Sequence, residues 1–295
     1  NERPDRLTQA LDSALAQRGA SVEVVVVDDG SDDAGTIETL EAYADRVTLL
    51  RQSNRGLPAA RNVAIAASSG RYILPLDSDD WFADDVAAIG RDALDADPKA
   101  VIAYTHIVQV RGPGLEEPAP DRTQQFIVAD LALGNTLPVS SLFRRADWAR
   151  LGGYDESLAG VGHEDYEWWV RLLADGGVAA PAVGAMFYYR VRPDSMSKRM
   201  ERLGTSLATT RAAMLRNSPG VERQWQIAFD LRMNRGNVAQ ILEHQFPNRK
   251  RILGLVGHAE HQHRAFAATE INRQLQRRRL MADRLDHDVW AVAVG

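Results

Sequence analysis

With 295 residues, 45% of them hydrophobic and 25% charged, the chain has the composition of a soluble globular protein with one large domain, or one ordinary domain and an appendage. A formal net charge of -5 argues against a general nucleic-acid binder, which needs a surplus of Lys and Arg to neutralise phosphates. Cys is absent, which excludes disulfides and thiolate metal sites. No run approaches the roughly 18 apolar residues of a membrane helix, and no signal peptide opens the chain, so a cytoplasmic protein is expected.

In chain order, the stretch from Asp5 to Ala16 places Leu7, Ala10, Leu11, Ala14 and Leu15 on one helical face. Val22 to Val27 is an almost unbroken β-branched run, as in a parallel strand covered on both faces, and it ends in Asp28-Asp29-Gly30-Ser31. A polar helix is expected from about Thr36 to Ala44, a strand from Val47 to Leu50 and a helix from Ala59 to Ala67. A third strand should run from Tyr72 to Leu76, then a helix from Asp84 to Leu94 and a strand from Ala100 to Val110. This alternation predicts βαβ units on a parallel sheet. Gly and Pro mark Arg111 to Arg122 as a loop, and Tyr166, Trp169, Val170 and Leu173 set a helical period from Glu164 to Ala174. From about Lys198 the pattern is mainly helical with few strand signals, so a soft boundary is placed there.

Two of the clearest strands end in clustered carboxylates, Asp28-Asp29 and Asp77-Ser78-Asp79-Asp80, where open parallel sheets bind ligands. Residues two apart on extended chain point the same way, so Asp77 and Asp79 can face one Mg²⁺ or Mn²⁺. Turn and capping chemistry accounts equally well for Asp28 and Asp29. Helix capping needs one carboxylate and not three, which favours a metal role for Asp77 to Asp80. Between the clusters, Asn54 to Asn62 combines a turn-permitting Gly56, Pro58 at a helix start and Arg61 about one turn in. An anion site and a solvated helix charge are both open readings there.

Together these segments resemble the family 2 glycosyltransferases of GT-A fold. The matching stretches are VVVVDDGSDD (24–33), NRGLPAARN (54–62), GRYILPLDSDDWF (70–82), LGGYDESL (151–158), HEDYEWWVRL (163–172) and YRVRPDSMS (189–197). The resemblance implies a doubly wound, mostly parallel α/β sheet flanked by helices over residues 1–197. Its nucleotide-sugar half is about 1–110 and its acceptor half about 111–197, followed by a mainly helical extension over 198–295. It implies an inverting transfer from a nucleoside-diphosphate sugar, UDP- or dTDP-linked ahead of GDP-linked, to a glycan or lipid-linked acceptor in surface polysaccharide synthesis. Asp29 would meet the nucleotide base, while Asn54, Gly56 and Arg61 would hold the nucleotide or its phosphates. Asp79 would ligate Mn²⁺ or Mg²⁺, with Asp77 nearer the ribose or a water on the metal. Asp165 would be the general base, with Glu164 the second candidate. Trp168, Trp169 and His163 are acceptor-site candidates. For the tryptophans the core is the competing reading, and for His163 a solvated loop; Tyr154 and Trp148 read as packing residues.

Two departures stand out. Family members usually open with an apolar strand, whereas this chain starts at Asn1-Glu2; the expectation is a truncated fragment or an incomplete gene model whose open sheet edge makes it unstable or self-associating, with Glu2 still reaching the donor site. Family members often carry a metal-binding His where Arg192 stands; Arg cannot ligate a cation but can clamp a diphosphate, with Arg190 as its neighbour. The basic stretch from Arg249 to Arg284 reads either as a solvated face or as a peripheral contact with the inner face of an acidic membrane. Two rivals remain. A phosphohydrolase lacks its Thr or Val after the second Asp, and a catalytically impaired nucleotide-sugar-binding or scaffolding domain is kept open by the missing strand and Arg192.

Overall fold

A computed structural model describes residues 2–112, 114–119, 122–192, 206–233 and 287–294. The chain divides into two compact units, one of Asn1–Val221 with Asp286–Gly295, the other of Glu222–Leu285. The first unit therefore continues past residue 197 and also takes in a segment near the C-terminus.

It begins with helix α1 (Pro4–Leu15), whose early proline suits the first turn and whose Leu7, Ala10, Leu11 and Ala14 are buried. Fully burying Leu7 and Leu11 stabilises the unit by about 1.5–3 kcal/mol each. The order continues β1 (Ser21–Asp28), α2 (Ala34–Ala42), β2 (Thr48–Arg51), α3 (Leu57–Ala67), β3 (Tyr72–Ile73), β4 (Leu76–Asp77), β5 (Trp81–Phe82), α4 (Val86–Ala96), β6 (Ala100–Val110) and β7 (Glu116–Pro118). Then come β8 (Leu142–Arg144), α5 (Arg145–Leu151), α6 (Glu164–Leu173), β9 (Val178–Arg190), α7 (Ser206–Asn217), α8 (Val221–Met233) and β10 (His287–Val294). The described part of the second unit lies in α8.

One sheet is wholly parallel, in the order β2-β1-β10-β4; the other is mixed, in the order β3-β8-β6-β9-β5 with β7 on β6. Val24 to Val27 of β1 are all buried, as their unbroken apolar run predicts. The single strand expected from Tyr72 to Leu76 is two strands. Tyr72–Ile73 pairs with β8 in the mixed sheet and Leu76–Asp77 with β10 in the parallel one. Pro75, which has no N–H for a ladder, lies at the break.

The largest correction concerns the expected open edge. β10 lies between β1 and β4, parallel to both, and pairs with β1 along its whole length from Ser21 to Asp28. β1 is therefore an inner strand with neighbours on both sides. The region after Lys198, expected to be mainly helical, contains this strand. The basic stretch from Arg249 to Arg284 and its histidines lie outside the described residues, as do the last residues of the YRVRPDSMS segment.

Candidate active site

Asp28 and Asp77 end two strands of the parallel sheet, and the segments that follow them form one side of a cavity of about 770 Å³. This volume suits a small-molecule ligand. Every residue expected at the site lines the cavity except Trp168 and Trp169.

The DDGS turn divides its two acids. Asp28 accepts a hydrogen bond from the Ser31 amide at 2.9 Å, which is turn chemistry. Asp29, also buried, reaches the next loop: Oδ1 accepts from the Arg55 amide at 2.8 Å and from Gln52 Nε2 at 2.7 Å, and Oδ2 from the Gly56 amide at 2.8 Å. Its carboxylate thus shapes the Asn54–Gly56 wall. Gly56 has φ 86°, and a Cβ there would come within 2.8 Å of Ala159 Cβ, so only glycine fits without a shift.

Arg61 is not a solvated charge. It is 3% exposed, and its guanidinium donates to Glu164 Oε1 at 2.6 Å and to Asp77 Oδ1 at 2.8 Å while lying over the Tyr154 ring. Burial opposes its charge, yet the two carboxylates hold its pKa above the ordinary value. Arg61 therefore ties the β4 carboxylate to the head of α6, a bridge that spacing alone did not reveal. Removing one partner of a buried pair strands the other. Arg61→Met is expected to destabilise the protein by about 3 kcal/mol, read as a lower urea midpoint with unchanged m-value. An unchanged midpoint would show that solvent compensates Glu164.

The acids after β4 have separate surroundings. Asp80 is 1% exposed and accepts from the Arg190 amide at 2.7 Å; burial and the neighbouring Asp79 and Asp77 hold its carboxyl well above the usual range. Asp79 is pushed up to about 6, by burial first, then by Asp77, with Arg192 opposing. Arg192 lies 3.0 Å from Asp79 Oδ2 and also pairs with Glu2 Oε2 at 3.0 Å. Glu2 thus reaches the site, though as Arg192's partner. Arg190 donates to the Asp79 carbonyl and to Gln9, and stacks on Trp81. Both arginines line the cavity held by protein partners.

Helix α6 starts at the cavity. His163, its N-cap, has φ 61° and is the one non-glycine residue with positive φ among the described residues. Such strain clusters at functional sites. Glu164 faces Arg61, whereas Asp165 is half-buried and accepts from Asn135 Nδ2 at 2.7 Å. Burial and the adjacent Glu164 push Asp165 up to about 7, against Arg61, the Tyr166 amide and Asn135. Trp168 and Trp169 are corrected: both are fully buried beside Phe143, because α6 is packed on almost every face. Asn135, Gln109 and Tyr189 line the cavity without having been singled out, since isolated polar or aromatic residues in loops and strands carry no spacing signal.

The family model described as glycosyl transferase family 2 matches residues 1–149. The chain belongs to glycosyl transferase family 2. Among curated relatives, the succinoglycan biosynthesis protein ExoO of Rhizobium meliloti is 32% identical over 231 residues, 72% of this chain and 65% of that protein. Glycosyltransferase GlyA of Streptococcus pneumoniae is 40% identical over 82 residues, 27% of this chain and 12% of that protein. The chain thus spans less than two thirds of the length of either relative. A structure of S. aureus TarS in complex with UDP-GlcNAc superposes with TM-score 0.56 at 18% identity, covering 79% of this chain and 71% of that one. GalNAc-T7 with UDP, GalNAc and Mn²⁺ gives 0.52 at 18% identity, covering 64% and 41%. These likenesses show that this member of the family has the GT-A fold.

Among the described residues no three His, Cys, Asp or Glu side chains are grouped to hold a metal ion. What this chain offers a divalent cation is hard carboxylate oxygen from Asp79 and Asp77, each with one oxygen on an arginine. That donor set fits Mg²⁺ or Mn²⁺ completed by substrate phosphates and water, as such ions are commonly held.

Proposed function

We propose that this family 2 enzyme moves a sugar from a nucleoside-diphosphate donor to an acceptor hydroxyl in one inverting displacement, with Asp165 as general base. The supporting observation is the Asp165 carboxyl: half-buried, hydrogen-bonded and pushed up to about 7 in the cavity that Asp77 and Asp79 also line. A base with pKa near the working pH combines availability with proton affinity. The acceptor oxygen bonds to the anomeric carbon, the bond from that carbon to the phosphate oxygen breaks, and the nucleoside diphosphate leaves with the electron pair. Asp165 takes the hydroxyl proton. A bound Mg²⁺ or Mn²⁺ would stabilise the charge gathering on the leaving diphosphate. Asp79 and Asp77 would hold it, while Arg190 and Arg192 would turn to the phosphates.

Residues 1–110 would hold the donor, with Asn54, Gly56 and the loop shaped by Asp29 around the nucleotide. The acceptor would enter past His163 and Asn135, on residues 111–197. A UDP- or dTDP-linked sugar is the favoured donor, and a glycan or lipid-linked acceptor of surface polysaccharide synthesis the favoured acceptor. The UDP-GlcNAc complex of TarS and the succinoglycan role named for ExoO support that direction. The proposed location is the cytoplasm, with a peripheral contact at the inner face of the membrane as an addition to that reading. Separately, no described helix is long and apolar enough to cross a membrane. A nucleotide-sugar-binding domain without turnover is the competing reading, favoured by the Arg192 ion pair on Asp79.

Calorimetric titration with UDP, dTDP and GDP, each with and without Mn²⁺, tests the donor site. One nucleotide should bind, with the metal strengthening binding tenfold or more, and Asp79→Asn should remove that gain. Absence of binding to a folded sample by all three would sink the donor assignment. Binding without turnover of labelled donors across an acceptor screen would favour the competing reading.

A further inference from the structure

Asn135 lies in the loop between the 3-10 turn Val128–Leu131 and β8, and it lines the cavity. Its Oδ1 accepts from the Leu137 amide at 3.2 Å, and its Nδ2 donates to Asp165 Oδ2 at 2.7 Å. The first contact decides the amide's orientation. With the carbonyl oxygen taken by a backbone N–H, the NH₂ end is the end left for the carboxylate. The loop is itself anchored, since Arg211 of α7 donates to the Ala132 carbonyl and Leu137 is buried.

Other polar groups surround Asp165: His163 and Glu164 precede it at the head of its own helix, Arg61 approaches from α3 with its charge on Glu164, and Tyr154 comes from the 152–155 turn. Asn135 is the uncharged side chain whose N–H is hydrogen-bonded to the carboxylate. It favours the ionised carboxylate without cancelling its charge, which an arginine at that distance would do, weakening it as a base.

Resting on the reading of Asp165 as the general base, we propose that Asn135 is its positioning residue. The oriented amide holds the Asp165 carboxylate in the cavity wall and favours the ionised form that accepts the acceptor's proton.

The test uses the whole chain with Asn135→Ala, and Asn135→Ser as a shorter donor should alanine disturb folding. The Asp165 carboxyl is titrated by ¹³C NMR, assigned by its loss in Asp165→Asn, and beside it the pH profile of kcat/KM for the donor that turns over is recorded. Losing a hydrogen bond to a charged group should raise the Asp165 midpoint by about one pH unit. The acidic limb of the rate profile should move with it, lowering turnover at pH 6.5 about tenfold while nucleotide affinity stays unchanged; Ser should give an intermediate shift. An unmoved midpoint in a folded variant overturns the role of Asn135 and leaves the Asp165 reading intact. A midpoint that moves without the rate profile overturns Asp165 as base, and with it the positioning role.

Discussion

Asp165→Asn is expected to bind nucleotide as the parent does while kcat falls about 10²–10⁴-fold, the usual contribution of a positioned base. Amide for carboxylate preserves shape, so the loss reports proton transfer rather than packing. In the parent, kcat/KM should rise as pH increases through about 7, where the Asp165 carboxyl ionises, and that limb should vanish in the variant. The sign for stability runs the other way. The folded-state pKa of Asp165 lies above the unfolded value of about 3.9, so the folded state holds the proton more tightly. Stability from this group is present below pH 4 and is lost as pH climbs through 7. The variant should therefore melt at a higher temperature than the parent at pH 8, the expected trade between a strained base and stability. Equal kcat in parent and variant would remove Asp165 from the chemistry. Glu164→Gln supplies the contrast: because Glu164 is tied to Arg61, its loss should lower the urea midpoint and affect turnover only indirectly.

Residues of the acidic pair that sequence left as alternatives are separated by what faces each of them. Spacing could say that two carboxylates begin a helix; it could not say that Arg61, about a hundred residues earlier, would claim one and Asn135 the other. Local patterns were legible where the cause is local. The buried face of α1 follows from its apolar period, the β1 core from its valines, and the shared cavity of Asp77 and Asp79 from their place at a strand end. Long-range causes were not. Helical spacing favours the core for at least one of the tryptophans, and only the packing of α6 against Phe143 shows that both lie there. In isolation Asp29 reads equally as turn chemistry or as a ligand contact, and its hydrogen bonds to the 52–56 loop could not be read from spacing. The same limit hid the partner of β1, since a strand pairing over about 265 residues leaves no trace in either segment's own composition.

That pairing carries the second large effect. Deleting residues 286–294 removes a strand from the middle of the parallel sheet and leaves β1 and β4 without the neighbour they share. At about 1 kcal/mol for each ladder hydrogen bond, an eight-residue ladder along Ser21–Asp28 approaches the whole 5–15 kcal/mol that holds a typical domain together. The exposed edge of β1, with Val24 to Val27 beside it, would then template pairing between copies. The truncated protein should lose its cooperative melt, scatter light as an oligomer and fail to bind nucleotide. Binding goes because Asp29, which follows the end of β1, and Asp77, which ends β4, are placed by the two strands that β10 joins. A peptide of residues 287–294 added during refolding should restore part of the monomer, since the slot is defined by backbone pairing on both sides. A truncated monomer that melts at the parent's temperature would mean that the sheet closes without β10, and that the donor site does not depend on it.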